Sequence, residues 1–434
     1  MFAYYFGLAL RSFRRNKVLT ALMILAIALG IGASMTTLTV FHVLSGDPLP
    51  GRSAMLFHPQ LDPQNKEGYV AGEEPPPQLT RFDAETLLRE RKGDRQAMMT
   101  GGNVSITPQR ADIAPFRVDS RYTTADMFVM FDMPLLFGHP WTAAEDEAHA
   151  RVVVISKMLN QRLFAGENSV GRTVRVDKDS FTVIGVLNDW RPTPKFYDVF
   201  AQRGYDATED VFLPFTTSRD LTMDRSGSMD CWGDNNGDRT ALNATCVWIQ
   251  YWVQLDSRDK VDAYRRYLTN YSDLQHASGR FQRPTNVRLR NVMQWMEFHH
   301  ILPSDVTLQM WLAFGFLVVC LLNTIGLLLA KFLRRGGEIG VRRALGATRS
   351  AIFQQCMVEA GTIGLAGGAL GLVFALLGLW AVRQQPVDYA DLAHLNPVML
   401  LLTFVLAIVA SLLAGMLPAW RAMQITPAVQ LKTQ

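Results

Sequence analysis

The sequence predicts an α+β membrane protein: four transmembrane helices, with a large two-lobed α+β domain inserted between the first and the second. Three observations carry this. Residues 18–44, 306–330, 360–382 and 397–420 contain no Asp, Glu, Lys or Arg, and each run exceeds the ~20 residues that cross a ~30 Å hydrocarbon layer as a helix. Basic residues gather at alternate ends of these runs. The long segment between the first two runs mixes strand-like alternation with helical spacing. A charged fraction of 19% beside 49% hydrophobic residues excludes a disordered chain. A net charge of +4 is too small a surplus to indicate a nucleic-acid partner.

The first run is an uncleaved anchor, because its apolar stretch is well over the ~7–15 residues of a signal-peptide core. Before it, Phe2, Phe6, Leu10 and Phe13 recur at helical spacing beside Arg11, Arg14 and Arg15. This predicts a short amphipathic helix on the inner membrane surface. Arg11, Arg14, Arg15 and Lys17 precede span 1. Lys331, Arg334, Arg335, Arg342, Arg343 and Arg349 lie between spans 2 and 3, and Arg421 and Lys432 follow span 4. The loop between spans 3 and 4 carries Arg383 at its edge, then Asp388 and Asp391. The positive-inside rule therefore puts both termini and the 331–350 loop in the cytoplasm, and residues 45–305 outside.

The expected division is a surface helix at 1–17, span 1 at 18–45, the external domain at 46–304 and span 2 at 305–330. A coupling segment at 331–350, span 3 at 351–383, a short loop at 384–396, span 4 at 397–420 and a tail at 421–434 complete it.

In the external segment, Val247, Ile249, Tyr251, Val253 and Leu255 alternate with Trp248, Gln250, Trp252 and Gln254, as in a strand. A cap at Asp256 or Ser257 then opens a helix whose one face is Val261, Tyr264, Leu268 and Tyr271. Residues 287–292 read as a further strand, giving a β-α-β unit before span 2. Residues 151–155 form a short apolar strand. Residues 173–176 and 181–187 flank 177–180 as a hairpin. Pro75, Pro76 and Pro77 mark an exposed connection. Cys231 and Cys246 lie outside, where a disulfide is permitted; a bridge and two free thiols both fit. Cys320 and Cys356 fall in or beside spans as buried thiols.

No catalytic constellation emerges. Asp234, Asn236 and Gly237 suggest a calcium loop, but that frame puts Trp232 and Asn243 where carboxylates are needed. Ser257 and Lys260 spell S-x-x-K without the K-T-G that accompanies a penicillin-binding nucleophile. C-x-x-C and H-E-x-x-H are both absent, so no metal site is expected. With no G-x-x-x-x-G-K-[ST], the 434 residues are not expected to hydrolyse ATP, and no cofactor is expected on them.

The most informative stretch, residues 331–359, reads KFLRRGGEIGVRRALGATRSAIFQQCMVE. It is a compact, basic, mostly helical segment in which Ile339 and Leu345 add an apolar component to Arg342 and Arg343. The positive-inside rule alone does not require that component; a docking surface for a cytoplasmic protein and an interfacial lipid contact both fit it. Gly336, Gly337 and Gly346 allow tight turns. In span 3, Gly364/Gly368 and Gly367/Gly371 are two G-x-x-x-G pairs, which permit close helix packing. Glu359, near the cytoplasmic end of that span, calls for a cationic partner or a route to the interface; an intramembrane ion pair and a proton relay both fit it.

The run E-I-G-V-R-R-A-L-G-A-T at 338–348 resembles the cytoplasmic signature of MacB/FtsX-type (type VII, mechanotransmission) ABC transporter permeases. Glu359 and its following glycines, and the ending Pro418-Ala419-Trp420-Arg421-Ala422 with Thr426-Pro427-Ala428, are similar to that family's span 3 and tail. Residues 152–156, 164–166, 170–171 and 181–186 resemble its periplasmic core domain. The resemblance implies an inner-membrane permease that couples ATP hydrolysis by a separate cytoplasmic ATPase to periplasmic movement and export. ATP and Mg would sit on that ATPase. Glu338, Ile339, Arg342, Arg343 and Gly346 would form the ATPase-coupling surface. A second permease, identical or related, would complete a dimer among membrane lipid. A periplasmic adaptor and an outer-membrane duct are further partners the family uses. The outer domain would have one lobe inserted around residues 110–195. The alternative is an FtsX-like scaffold that regulates a periplasmic partner such as a cell-wall hydrolase.

Overall fold

A computed structural model describes residues 5, 7–8, 11–13, 16–110, 112–199, 204–233, 237–301, 304–386, 389–394 and 397–424. Phe2, Phe6, Leu10, Arg14 and Arg15 of the amphipathic segment lie outside the described residues, as do Asp234, Asn236, Asp388, Thr426, Pro427, Ala428 and Lys432. The chain divides into two compact units, one of residues 1–45 with 302–434 and one of residues 46–301.

In the first unit the apolar runs form helices Lys17–Leu44, Ser304–Arg334, Arg349–Arg383 and Pro397–Met423, here spans 1 to 4. Each is long and apolar enough to cross a membrane. Span 1 is half buried, more than any other span, and is the centre of the bundle. Its Met23, Ile27 and Ile31 share a cluster with Leu317 and Leu328 of span 2, Ile352 and Ile363 of span 3, and Ala407 of span 4. A short helix, Gly336–Ala344, links spans 2 and 3.

The second unit, the inter-span domain, is α+β. Its strands are β1 (Leu56–Gln60), β2 (Leu79–Thr80), β3 (Arg95–Thr107), β4 (Phe116–Thr123), β5 (Leu135–Gly138), β6 (Val152–Ile155), β7 (Thr173–Val176), β8 (Asp179–Leu187), β9 (Val211–Pro214), β10 (Arg225–Ser226), β11 (Asp230–Cys231), β12 (Cys246–Gln254) and β13 (Arg288–Asn291). One hydrogen-bonded path runs β13-β1-β12-β3-β4-β9-β6-β8-β5, so the strands of both lobes belong to a shared sheet.

Several details differ from the sequence expectation. The β-α-β unit exists, with Ser257 accepting a hydrogen bond from the Lys260 amide to cap helix Arg258–Ala277. Its two strands are not neighbours, because β1 pairs antiparallel with both and lies between them. The last strand stops at Asn291, whose side chain caps a helix starting at Val292. β12 is buried along both faces, since Tyr251 and Val253 join one core cluster and Trp252 another. The β7–β8 hairpin closes on Asp177 and Lys178 alone, with Val176 opposite Asp179 and Asp177 at φ 52°. Pro75 and Pro76 are buried, not exposed. Gln60 donates to the Pro75 carbonyl at 3.0 Å and His58 to that of Pro77 at 2.7 Å, so β1 satisfies the backbone that the prolines hold extended. Cys231 and Cys246, opposite each other on β11 and β12, form a disulfide; Cys320 and Cys356 are buried free thiols.

Candidate functional site

The short helix Gly336–Ala344 is built by its own sequence. Glu338 sits in its first turn and Arg342 and Arg343 in its last, the charge order that the helix dipole favours. It ends in a Schellman motif: the Ala347 amide donates to the Arg342 carbonyl at 3.0 Å and the Gly346 amide to that of Arg343 at 3.1 Å. Gly346 has φ +101°, which an L side chain rarely adopts. Two residues later, Thr348 accepts a hydrogen bond from the Ala351 amide and caps span 3. The run G-A-T thus stops one helix and starts the next.

The helix has an anchored face and an open one. Gly336, Ile339 and Gly340 are buried, with Ile339 in the apolar cluster of the spans. That corrects the expectation that Ile339 belongs to a docking surface, because a residue packed inward has no area left for a partner. The open face carries Gly337, Val341, Ala344 and Leu345. Leu345 is 83% exposed and Val341 is 55% exposed. Their i, i+4 spacing makes one apolar stripe. An exposed apolar stripe of this kind marks an interaction surface.

Polar contacts hold the other face. Arg342 donates to Gln355 of span 3 at 2.8 Å and pairs with Glu338 at 3.2 Å. Glu338 also pairs with Arg335 at 3.3 Å. Arg335 reaches Glu359 of span 3 at 3.0 Å, and Lys331 of span 2 reaches its other carboxylate oxygen at 2.7 Å. Ser12 donates to Glu359 at 2.5 Å, and Lys331 also donates to Thr20 of span 1 at 3.3 Å. The side chains of Lys331 and Glu359 are essentially inaccessible. A buried carboxylate with two cations thereby joins the start of the chain, three spans and the short helix. Such an arrangement specifies geometry strongly, because no member can leave without stranding a charge. Arg343 is turned elsewhere and donates to the Met423 carbonyl of span 4 at 3.4 Å.

Sequence reasoning singled out Glu359 and its need for a cation, yet it treated Lys331 and Arg335 only as topogenic charges. Their i, i+4 spacing at the end of span 2 is the signal that would have found them. Val341 was likewise missed, though it lies four residues before Leu345.

The glycines of span 3 face two neighbours. A Cβ on Gly364 would clash with Ser411 Oγ, and one on Gly368 would lie 2.6 Å from Ala407, both of span 4. A Cβ on Gly367 would lie 2.7 Å from Ile27, and one on Gly371 3.1 Å from Ile31, both of span 1. Gly364→Val is therefore expected to force spans 3 and 4 apart and cost about 1–3 kcal/mol. Gly361→Ala meets nothing closer than 3.9 Å and is expected to be tolerated. Thermal unfolding of the two variants in detergent checks this; equal midpoints would contradict it.

Comparison with known proteins adds two family matches. The MacB-like periplasmic core domain model matches residues 20–271, and the FtsX-like permease C-terminal model matches residues 310–427. Among similar proteins, the macrolide export ATP-binding/permease protein MacB of Azoarcus sp. (strain BH72) is 26% identical over 98% of this chain and 59% of its own length. The protein of the same name from Escherichia coli (strain K12) is 24% identical over 97% of this chain and 59% of its own. The chain therefore spans about three-fifths of the curated relatives it matches. Similar solved structures include the periplasmic region of MacB from Actinobacillus actinomycetemcomitans, at 16% identity and a TM-score of 0.37, covering 58% of this chain and 95% of that one. The extracellular domain of the noncanonic ABC-type transporter YknZ from Gram-positive bacteria aligns at 12% identity and a TM-score of 0.35, over 54% of this chain and all of that one.

Proposed function

Because the chain belongs to the permease family that joins a MacB-like periplasmic core domain to an FtsX-like permease domain, we propose that it is the membrane subunit of an ABC exporter. In this reading, a cytoplasmic ATPase outside these 434 residues, on a separate chain, docks on the open face of helix Gly336–Ala344. The observation that carries it is the pairing of an exposed Val341–Leu345 stripe with an ionic anchor to three spans. Force applied to the stripe would pass through Arg342, Glu338 and Arg335 to Glu359, and so to spans 1 and 2. Those two spans lead directly into the inter-span domain along the chain. ATP and Mg act on the ATPase; this chain transmits the movement.

The basic flanks support an inner-membrane orientation with the short helix and both termini in the cytoplasm. A second permease, identical or related, supports the assembly. Asn323 is exposed on span 2, and its side chain makes no hydrogen bond among the described residues. An amide in an apolar span is expected to meet a partner helix. An adaptor and an outer-membrane duct are further partners in this reading. The match of residues 20–271 to the MacB-like core favours export over scaffold action.

The test is reconstitution of the chain with its ATPase in proteoliposomes. Macrolides are the first substrate class to try, given the relatives' names. Substrate-stimulated ATP hydrolysis that requires this chain is expected. Hydrolysis indifferent to every exported compound tried, together with activation of a cell-wall hydrolase, would overturn export in favour of the scaffold.

A further inference from the structure

The inter-span domain treats its buried and half-buried arginines in two ways. Arg121, fully buried, is neutralised by Glu209 and Asp198, with Lys195 also on Glu209. Burial alone would raise the Glu209 carboxyl, but Arg121 and Lys195 bring it down to about 2. Arg280 is paired with Asp83, Arg283 with Asp62, and Arg290 with Glu74. Arg219 and Arg225 differ. Both are largely withdrawn from solvent, and neither forms an ion pair among the described residues.

The two guanidiniums converge on one ring. Arg219 lies 5.5 Å and Arg225 5.6 Å from the centroid of Trp248, and Arg219 also lies 5.8 Å from that of Tyr122. Phe215 stacks on the same Trp248 at 6.0 Å. Arg219 donates to Ser218 and to the Met223 carbonyl, and Arg225 to the carbonyls of Gly227 and Ser228. Among the described residues Nη1 of each donates no hydrogen bond, and Nε of Arg225 is buried with no acceptor. Burial lowers the proton affinity of both groups; at Arg219, Tyr122 and Asp238 oppose this while Arg81 adds to it, and Arg219 lowers that of Arg225 further. Nearby, Arg81 is paired with Glu85, and Asp238 bonds to Thr240. Two guanidiniums gathered on one ring, neither in an ion pair among the described residues, lack the close partner that a withdrawn charge requires. Their planar forks match a carboxylate or phosphate.

We propose that Arg219 and Arg225, gathered on Trp248, form an anion-binding site that takes a carboxylate or phosphate group of a ligand reaching the inter-span domain. The ring and the backbone carbonyls hold the two forks, and the anion supplies the missing negative charge. Neither the ATPase nor the export reading is a premise of this site.

The test uses the full chain in lipid nanodiscs, with thermal unfolding followed by tryptophan fluorescence at constant ionic strength. Pyrophosphate and succinate are titrated separately. A saturable rise in the unfolding midpoint is expected with at least one of them. Pyrophosphate alone assigns a phosphate group, and a response to succinate assigns a carboxylate. Arg219→Gln and Arg225→Gln are each expected to raise the half-saturating concentration at least about tenfold, the loss of one charge-assisted hydrogen bond. Arg265→Gln, on the exposed face of helix Arg258–Ala277, is expected to leave it unchanged. Should a Gln variant not fold, Arg219→Lys and Arg225→Lys keep the charge without the fork and are expected to weaken binding. No saturable response to either anion, or a response that these substitutions leave unaltered, would overturn the site and leave the arginines as packing on Trp248.

Discussion

Glu359→Gln is expected to destabilise the membrane unit by about 3–5 kcal/mol, the cost of removing one partner from a buried ion pair. The substitution preserves shape and leaves Lys331 facing a neutral amide, with no other carboxylate paired to it among the described residues. Arg335 retains Glu338, so the loss falls mainly on Lys331. The double variant Lys331→Met/Glu359→Gln removes the stranded charge and is expected to recover much of the loss, since apolar replacement of buried pairs is often neutral or better. Thermal unfolding in detergent measures both. An unchanged midpoint for Glu359→Gln would remove the ionic anchor from the account. The functional signature is equally specific: ATPase docking persists, because the open face is intact, while transport falls.

Leu345→Glu is expected to do the reverse. At 83% exposure the side chain contributes little to the chain's own packing, and a surface change of this kind costs within about 0.5 kcal/mol. In a docked complex the same position would be desolvated, and a carboxylate there would forfeit an apolar anchor and strand a charge. Loss of a central anchor costs at least about 2 kcal/mol, roughly thirtyfold in affinity. ATPase association should therefore collapse while the unfolding midpoint holds. Retained association would show that the stripe is a lipid contact.

These two residues also show what a sequence reveals and what it leaves hidden. The spans were legible because the absence of charge over 23 or more residues is a one-dimensional signal. Gly346 was legible as a turn, and the Ser257 cap as a helix start, because both act on their nearest neighbours. The place of β1 between β12 and β13 was not legible, since strand pairing depends on residues some 200 positions apart. Burial of Pro75 and Pro76 was hidden for another reason: His58 and Gln60 lie only 19 and 15 residues before the carbonyls they reach, but nothing in a proline run says which strand will lie beside it. The orientation of the short helix was hidden for a related reason. The nine residues are amphipathic, but with apolar residues at both Ile339 and Val341 the pattern alone does not say which packs on the spans; the Arg335–Glu338–Arg342 contacts accompany Ile339 turned in and Val341 turned out. For the same reason, charge reversal at Arg342 would break an internal contact along with any docking, whereas Leu345 isolates the docking face.

In the proposed assembly an ATPase docks on the Val341–Leu345 stripe of a helix anchored through Glu359. Its most direct test is affinity purification of the full chain from its native membrane in mild detergent, followed by mass spectrometry of what stays bound. The native chain, Leu345→Glu and Glu359→Gln are compared at equal amounts of folded protein. The account predicts a P-loop ATPase with the native chain and with Glu359→Gln, and none with Leu345→Glu. An ATPase that stays with Leu345→Glu, or that never accompanies the native chain, would contradict it.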